Sequence, residues 1–132
     1  MCCYHIILTD YSPEVGELLV EILSVAGYCV RFDAPSEFSA CRIREAHPDL
    51  AMIELLPNAP GPILALVGHL RADPATAHLP VLVTSTDYML LKHMAKTLDD
   101  LGCRTLMKPF SMNELLDVVR AAIGAGASAE SL

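Results

Sequence analysis

The sequence predicts an open, doubly wound α/β domain built from five β/α units. Three observations carry that expectation: five short apolar runs, a longer segment of helical period after each, and breaker residues at most junctions. Continuously apolar runs suit strands buried on both faces, as in a parallel sheet covered by helices on both sides.

Ile6-Ile7-Leu8 is the first predicted strand. Ser12-Pro13-Glu14 then opens a helix with a hydroxyl cap, proline at the first helical position and an acid in the first turn. Its core face is expected at Val15, Leu18, Leu19, Ile22, Leu23 and Ala26, with Gly27 as the stop. Tyr28 to Phe32 is a second, shorter strand. Pro35 is expected to open a helix to about Ala46, with Phe38, Cys41, Ile43 and Ala46 facing inward, and His47-Pro48 ends it. Leu50 to Leu55 is the third strand, followed by the breaker-rich loop Pro57 to Gly61 and a helix from about Pro62 to Ala72. Val81 to Thr84, a helix over roughly Asp87 to Leu101, Gly102 as its stop, and Arg104 to Met107 complete the fourth and fifth strands and the helix between them. Ser111-Met112-Asn113-Glu114 is a capping box opening a last helix to about Ile123. The expected organisation is one domain over residues 1–124 and a flexible tail or linker stub over 125–132, which is small and polar.

Composition narrows the function classes. The 132 residues suit one domain, and 53% are apolar, enough for a sizeable core. No apolar run approaches the roughly 18 residues of a membrane span, and the first residues lack the basic region of a signal peptide. A cytoplasmic protein without membrane contact is the expectation. The net charge of −7, with nine scattered Lys and Arg, argues against direct nucleic-acid binding. Five cysteines at 2, 3, 29, 41 and 103 include no CxxC pair, so neither a disulfide framework nor a zinc site is expected. Cys29 and Cys103 are expected to act as small buried hydrophobes. Adjacent Cys2 and Cys3 carry too little motif context to assign redox or lipid chemistry.

In a doubly wound sheet, function gathers at the carboxyl ends of the strands. Here those ends carry Asp10 and Tyr11, Glu54, Thr84-Ser85-Thr86, and Lys108-Pro109. Two acids, a hydroxyl and an ammonium in one crevice could accept or bind a phosphoryl group and hold Mg²⁺. A flavin or dinucleotide phosphate is disfavoured, because the first β/α loop has no glycine and places an acid where phosphate would sit.

The segments Ile6 to Asp10, Pro48 to Glu54, Leu70-Arg71-Ala72-Asp73-Pro74, Leu79 to Val83, and Gly102 through Met107-Lys108-Pro109-Phe110 resemble the receiver domains of bacterial response regulators, chemotaxis receivers among them. The resemblance covers residues 4–123 in order. It implies a flavodoxin-like strand order of 2-1-3-4-5 and a role in two-component or phosphorelay signalling. It also implies a histidine kinase or other signalling protein as partner, and no enzyme activity beyond the receiver's own phosphorylation and dephosphorylation. By the same resemblance Asp10 matches an acid that helps hold Mg²⁺, Ser85 the phosphate-binding hydroxyl, Lys108 the phosphate-binding lysine, and Pro109 a cis-proline.

Three positions depart from the family pattern. Tyr11 replaces the second metal acid, Glu54 stands at the phosphoacceptor aspartate, and Thr105 stands at the aromatic switch position. Tyr11 removes a charge from the metal site, leaving Asp10 and Glu54 to hold Mg²⁺ weakly if at all. Glu54 is one methylene too long for in-line attack and is expected to reach Lys108, imitating the phosphorylated state in part. The loop after Glu54 is one residue shorter than in the family, which leaves room to shift the match toward Asp49. Asp49, however, falls at the start of the strand, at the wrong edge of the sheet. The resulting expectation is an atypical receiver, or pseudo-receiver, that works by protein–protein interaction without phosphorylation and has no confident catalytic residue. The alternative is a single-domain phosphoacceptor with slow Mg²⁺-dependent phosphorylation. Met89, Leu90, Leu91, Met94 and Leu98 exceed one buried stripe, which suggests a partner or homodimer face through Met89, Leu90, Leu91 and Met94; the alternative is that all but Met89 belong to the core.

Overall fold

The computed structural model of this chain describes residues 3–56 and 58–131, the side chains of 125–131 excepted. The elements alternate as β1 (His5–Leu8), α1 (Pro13–Val25), β2 (Cys29–Phe32), α2 (Ala40–Ala46), β3 (Leu50–Glu54), α3 (Gly61–Ala72), β4 (Val81–Ser85), α4 (Tyr88–Asp100), β5 (Cys103–Met107) and α5 (Met112–Ser131). All strand pairs are parallel, in the order β2-β1-β3-β4-β5. The expected doubly wound fold and its strand order are therefore present.

Alternation along the strands splits the core into two layers. Ile7, Ala51, Ile53, Val81 and Val83 face α2, α3 and α4, where Ile43, Ile63, Val67, Leu70 and Leu98 meet them. Ile6, Leu8, Leu50, Met52, Leu82 and Leu106 face α1 and α5, against Leu19, Leu23, Leu115, Val119 and Ile123. Gly16 is buried on α1, and a Cβ there would collide with the Phe32 ring, so glycine is what lets α1 lie close to β2.

The helix ends follow their local chemistry. Ser12 accepts from the Val15 N–H, Asp87 from the Leu90 N–H, and Ser111 and Glu114 exchange hydrogen bonds of 3.1 Å as a capping box. Gly27 and Gly102 take positive φ (103° and 73°) just beyond α1 and α4.

Four sequence expectations need correction. The second helix begins at Ala40 and not Pro35, because the Ser39 hydroxyl caps it at the Arg42 N–H while residues 35–37 form a turn. Cys41, expected inward, is exposed. On α1, Leu18 and Ala26 are exposed, so the buried stripe is narrower than the run of apolar residues. The last helix continues past Ile123 to Ser131, through an alanine-rich stretch that favours helix.

Among the described residues no helix is long and apolar enough to cross a membrane.

Candidate functional site

The carboxyl ends of β1, β3 and β5 bring three charged side chains into one buried cluster. Asp10 follows β1, where its Oδ1 accepts from the Ser12 N–H at 2.9 Å and so shapes the turn into α1. Glu54 ends β3, and its Oε1 accepts from the Tyr11 N–H at 2.8 Å. Lys108 follows β5 and is tied to β4 by its own N–H, which donates to the Ser85 carbonyl at 2.8 Å. Its Nζ donates to Asp10 Oδ2 at 2.5 Å and to Glu54 Oε2 at 3.0 Å. Asp10 is 2% exposed, Glu54 9% and the Lys108 side chain 12%. The longer carboxylate at position 54 therefore makes the ion pair with Lys108 that its length predicts. The Lys108-Pro109 peptide is cis, as the resemblance implied.

Other expected members lie near the cluster without joining it. The Tyr11 side chain is exposed, and only its backbone touches Glu54. Ser85 is fully buried, and its Oγ accepts from the Asp87 N–H at 3.1 Å. Thr105 is exposed on β5. Asp49 sits at the opposite end of β3, where its Oδ2 accepts from the His5 N–H at 2.7 Å.

All four carboxylate oxygens of Asp10 and Glu54 thus already accept a hydrogen bond, two of them from the same ammonium. A divalent cation would have to compete with Lys108 for this pair and would find a neutral phenol in place of a further acid. The residues present do not fit a tight Mg²⁺ site.

Beside the cluster, Lys108, Pro109 and Phe110 form one wall of an apolar cleft of about 550 Å³, whose other walls are Val15, Leu18, Leu19 and Ile22 of α1 and Met112 and Leu115 of α5. Leu18 (54%) and Met112 (58%) are exposed at its mouth. On α4 the arrangement follows the second of the two expectations, with all of the named residues but Met89 in the core. Leu90, Leu91 and Met94 pack against the core, and Tyr88 and Met89 are the large apolar side chains exposed there.

Three polar constellations were not anticipated from sequence. Arg71, within the Leu-Arg-Ala-Asp-Pro segment, donates to the carbonyls of Leu101 (2.6 Å), Leu79 (2.8 Å), Ala77 (3.3 Å), Thr76 (3.4 Å) and Gly102 (3.4 Å). It joins the turn before β4 to the turn before β5, and burial lowers its pKa. Asp33 is 5% exposed and binds Arg31 and Arg42 at 3.0 and 3.2 Å. Burial pushes its carboxyl up, but the hydrogen bonds and charges of Arg42 and Arg31 outweigh that and hold it below the ordinary value. Cys3 and Cys29 form a disulfide across the starting edge of β1 and β2, with Cα atoms 6.1 Å apart. This corrects the expectation of no disulfide and of Cys29 as a simple hydrophobe. Cys103 is buried as expected, and burial raises its thiol pKa.

A parallel 2-1-3-4-5 sheet with acids after β1 and β3 and a lysine–cis-proline after β5 has the architecture of a receiver domain. No family model matches the chain. The DNA-binding dual master transcriptional regulator RpaA of Synechocystis sp. is 30% identical over 118 residues, which are 89% of this chain and 48% of RpaA. The chain therefore spans about half the length of that relative. A Chloroflexus aurantiacus protein classed as a response regulator is 28% identical, covers 93% of this chain and 99% of its own, and superposes with a TM-score of 0.77. The receiver domain of sensor histidine kinase PA1611 of Pseudomonas aeruginosa, which coordinates magnesium in its active-site cleft, has the same fold (19% identity, 93% and 99% covered, TM-score 0.71). In fold, and over most of its length in sequence, the chain is similar to the response-regulator receiver domains of two-component signalling.

Proposed function

We propose that this chain is an atypical receiver that signals through protein–protein contacts without being phosphorylated. One observation carries the reading: Lys108 is clamped between Asp10 and Glu54 in a buried cluster. The ammonium that would meet an incoming phosphoryl oxygen is already neutralised, and the carboxylate at the acceptor position is spent on that pair. Tyr11 and Thr105 support the same reading, the first by withholding a metal charge and the second by leaving the sheet edge without an aromatic reporter. Such a module is not an enzyme, binds Mg²⁺ weakly or not at all, and works in the cytoplasm on a histidine kinase or another signalling protein. The apolar cleft shares Lys108 with the cluster, so a partner seated there would contact the residue that closes the pocket. A homodimer through α4 would rest on Tyr88 and Met89, since the neighbouring apolar side chains are packed inward.

The test is to mix the protein with Mg²⁺ and acetyl phosphate, or with beryllofluoride, and to record intact mass and amide NMR spectra. The expected result is no adduct and no shift of pocket amides. A saturable, Mg²⁺-dependent adduct at Glu54 or Asp10 would overturn the proposal and establish a slow single-domain phosphoacceptor instead.

A further inference from the structure

The opposite edge of the sheet holds a second constellation, on the order of 15 Å from the charged cluster by the rise of an extended strand. Cys3, His5 and Cys29 place two sulfurs and an imidazole nitrogen within 4.8 Å of one another. Strand register explains the convergence. His5 and Cys29 are parallel ladder partners, so their side chains leave the same face of the sheet. Cys3 precedes His5 by two residues, and the ladder continues past β1 because the Cys29 N–H donates to the Tyr4 carbonyl at 2.9 Å. Alternation then returns Cys3 to that same face. Cys3 and Cys29 are half-buried and His5 is exposed, and His5 and Cys29 line a cavity of about 190 Å³ together with Arg31, Ala46 and Pro48.

The geometry points to a redox-controlled binding site for a thiophilic divalent cation such as Zn²⁺, formed by Cys3, His5 and Cys29 when the disulfide is reduced. Two thiolates and a neutral imidazole are the donor set that Zn²⁺ prefers, at about 2.3 Å for sulfur and about 2.0 Å for nitrogen. Spheres of that radius around one ion keep the donor atoms within the span seen here. The exposed side of the cluster leaves a fourth position to solvent. Disulfide and metal exclude each other, because the sulfur electron pairs that bind the cation become the S–S bond. With a hydroperoxide as oxidant, the two thiolates give up two electrons and the O–O bond breaks. With hydrogen peroxide, two protons are taken up, two waters leave, and the cation is released as the disulfide closes. The alternating bridge, covalent or metallic, would pin β1 to β2 in either state.

The test uses the full chain, reduced with a phosphine, in a Cys2→Ser/Cys41→Ser background that leaves Cys103 as the one thiol outside the cluster. Buried Cys103, whose thiol burial has pushed up, stays as an internal control. Titration with Co²⁺ should give one equivalent of tetrahedral binding with a thiolate-to-cobalt charge-transfer band, displaced by Zn²⁺. Cys29→Ser should abolish the band. His5→Gln, a change at an exposed position that should not threaten folding, should weaken binding by at least about tenfold, since losing even an outer-shell partner costs that much. Hydrogen peroxide should release the metal as intact mass records the loss of two hydrogens. Absence of the charge-transfer band, its survival in Cys29→Ser, or unchanged affinity in His5→Gln would overturn the assignment. None of these readouts depends on whether the pocket at Lys108 is phosphorylated.

Discussion

Replacing Lys108 with methionine removes the one cation from between two buried carboxylates while keeping most of the side-chain volume. Breaking a buried ion pair by deleting one partner costs about 3–5 kcal/mol, because the other charge is left uncompensated. Here two carboxylates are left, at 2% and 9% exposure, but each keeps one backbone hydrogen bond, from Ser12 and from Tyr11. The expected loss therefore lies near the lower end, about 3 kcal/mol. With a urea dependence of about 2 kcal/mol per molar, that is a fall of about 1.5 M in the unfolding midpoint. A double-mutant cycle sharpens the test. In Lys108→Met/Glu54→Gln only Asp10 stays charged, so the double variant should be more stable than Lys108→Met, with a coupling of at least about 1 kcal/mol. A loss below about 1 kcal/mol for Lys108→Met, the scale of exposed pairs, would refute the clamp as a buried and mutually dependent unit.

Tyr11→Asp/Glu54→Asp together restore the acids that the family resemblance assigns to those positions and shorten the carboxylate that reaches Lys108. Mg²⁺-dependent beryllofluoride shifts should appear in the NMR spectrum of this variant and not in the unaltered protein. Arg71→Ala strands carbonyls of two turns and should cost about 2–3 kcal/mol in chemical denaturation, the scale of charged hydrogen bonds lost. Arg71→Lys should recover little, because a point-charge ammonium cannot reproduce the fork of five contacts. Gly16→Ala drives a methyl into the Phe32 ring and should destabilise by about 1–3 kcal/mol, an effect that Phe32→Leu should relieve. For pH dependence, the Asp33 carboxyl is held below its ordinary value of 3.8 by Arg42 and Arg31 against the opposing effect of burial. Its contribution is therefore complete above pH 3.8 and lost as pH falls through the lower folded-state value. The stability difference between the unaltered protein and Asp33→Asn should shrink over that acidic window, and parallel curves would contradict it.

How much of this was legible in sequence depended on whether the signal was local. The strands and helix caps were, because continuous apolar runs and Ser-Pro-Glu or Ser-x-x-Glu patterns act within a few residues. Asp10, Glu54 and Lys108 were legible as a set because a parallel sheet sends the carboxyl ends of its strands to one edge. Helix α2 was misjudged at its start because Pro35 and Ser39 are both competent openers, and the choice between them falls to packing. The α4 surface stayed between two expectations because an apolar count does not say how wide a stripe the sheet covers: Leu90 and Met94 turned inward and Met89 did not. The Cys3–Cys29 bridge was invisible to spacing rules, since 26 residues separate the pair and only the β1–β2 register brings them together. Arg71 stood in view within its segment, but its role needed the two turns that the fold places around it.

The charge balance of the pocket explains why these substitutions work as a set. Asp10 and Glu54 bring two negative charges and Lys108 one positive, and the cluster is largely closed to water. A phosphoryl group would add close to two further negative charges at neutral pH. On the proposed reading, with tyrosine in place of a second metal acid, no further charge of the cluster offsets that addition, and the existing pair would have to break first. One extra methylene at position 54 and one lost carboxylate at position 11 therefore reinforce each other. The first keeps the lysine occupied, and the second weakens the hold on the cation that could free it. The same pair also gives Lys108 a fixed position beside Pro109 and the apolar cleft, where the proposed docking role would place a partner.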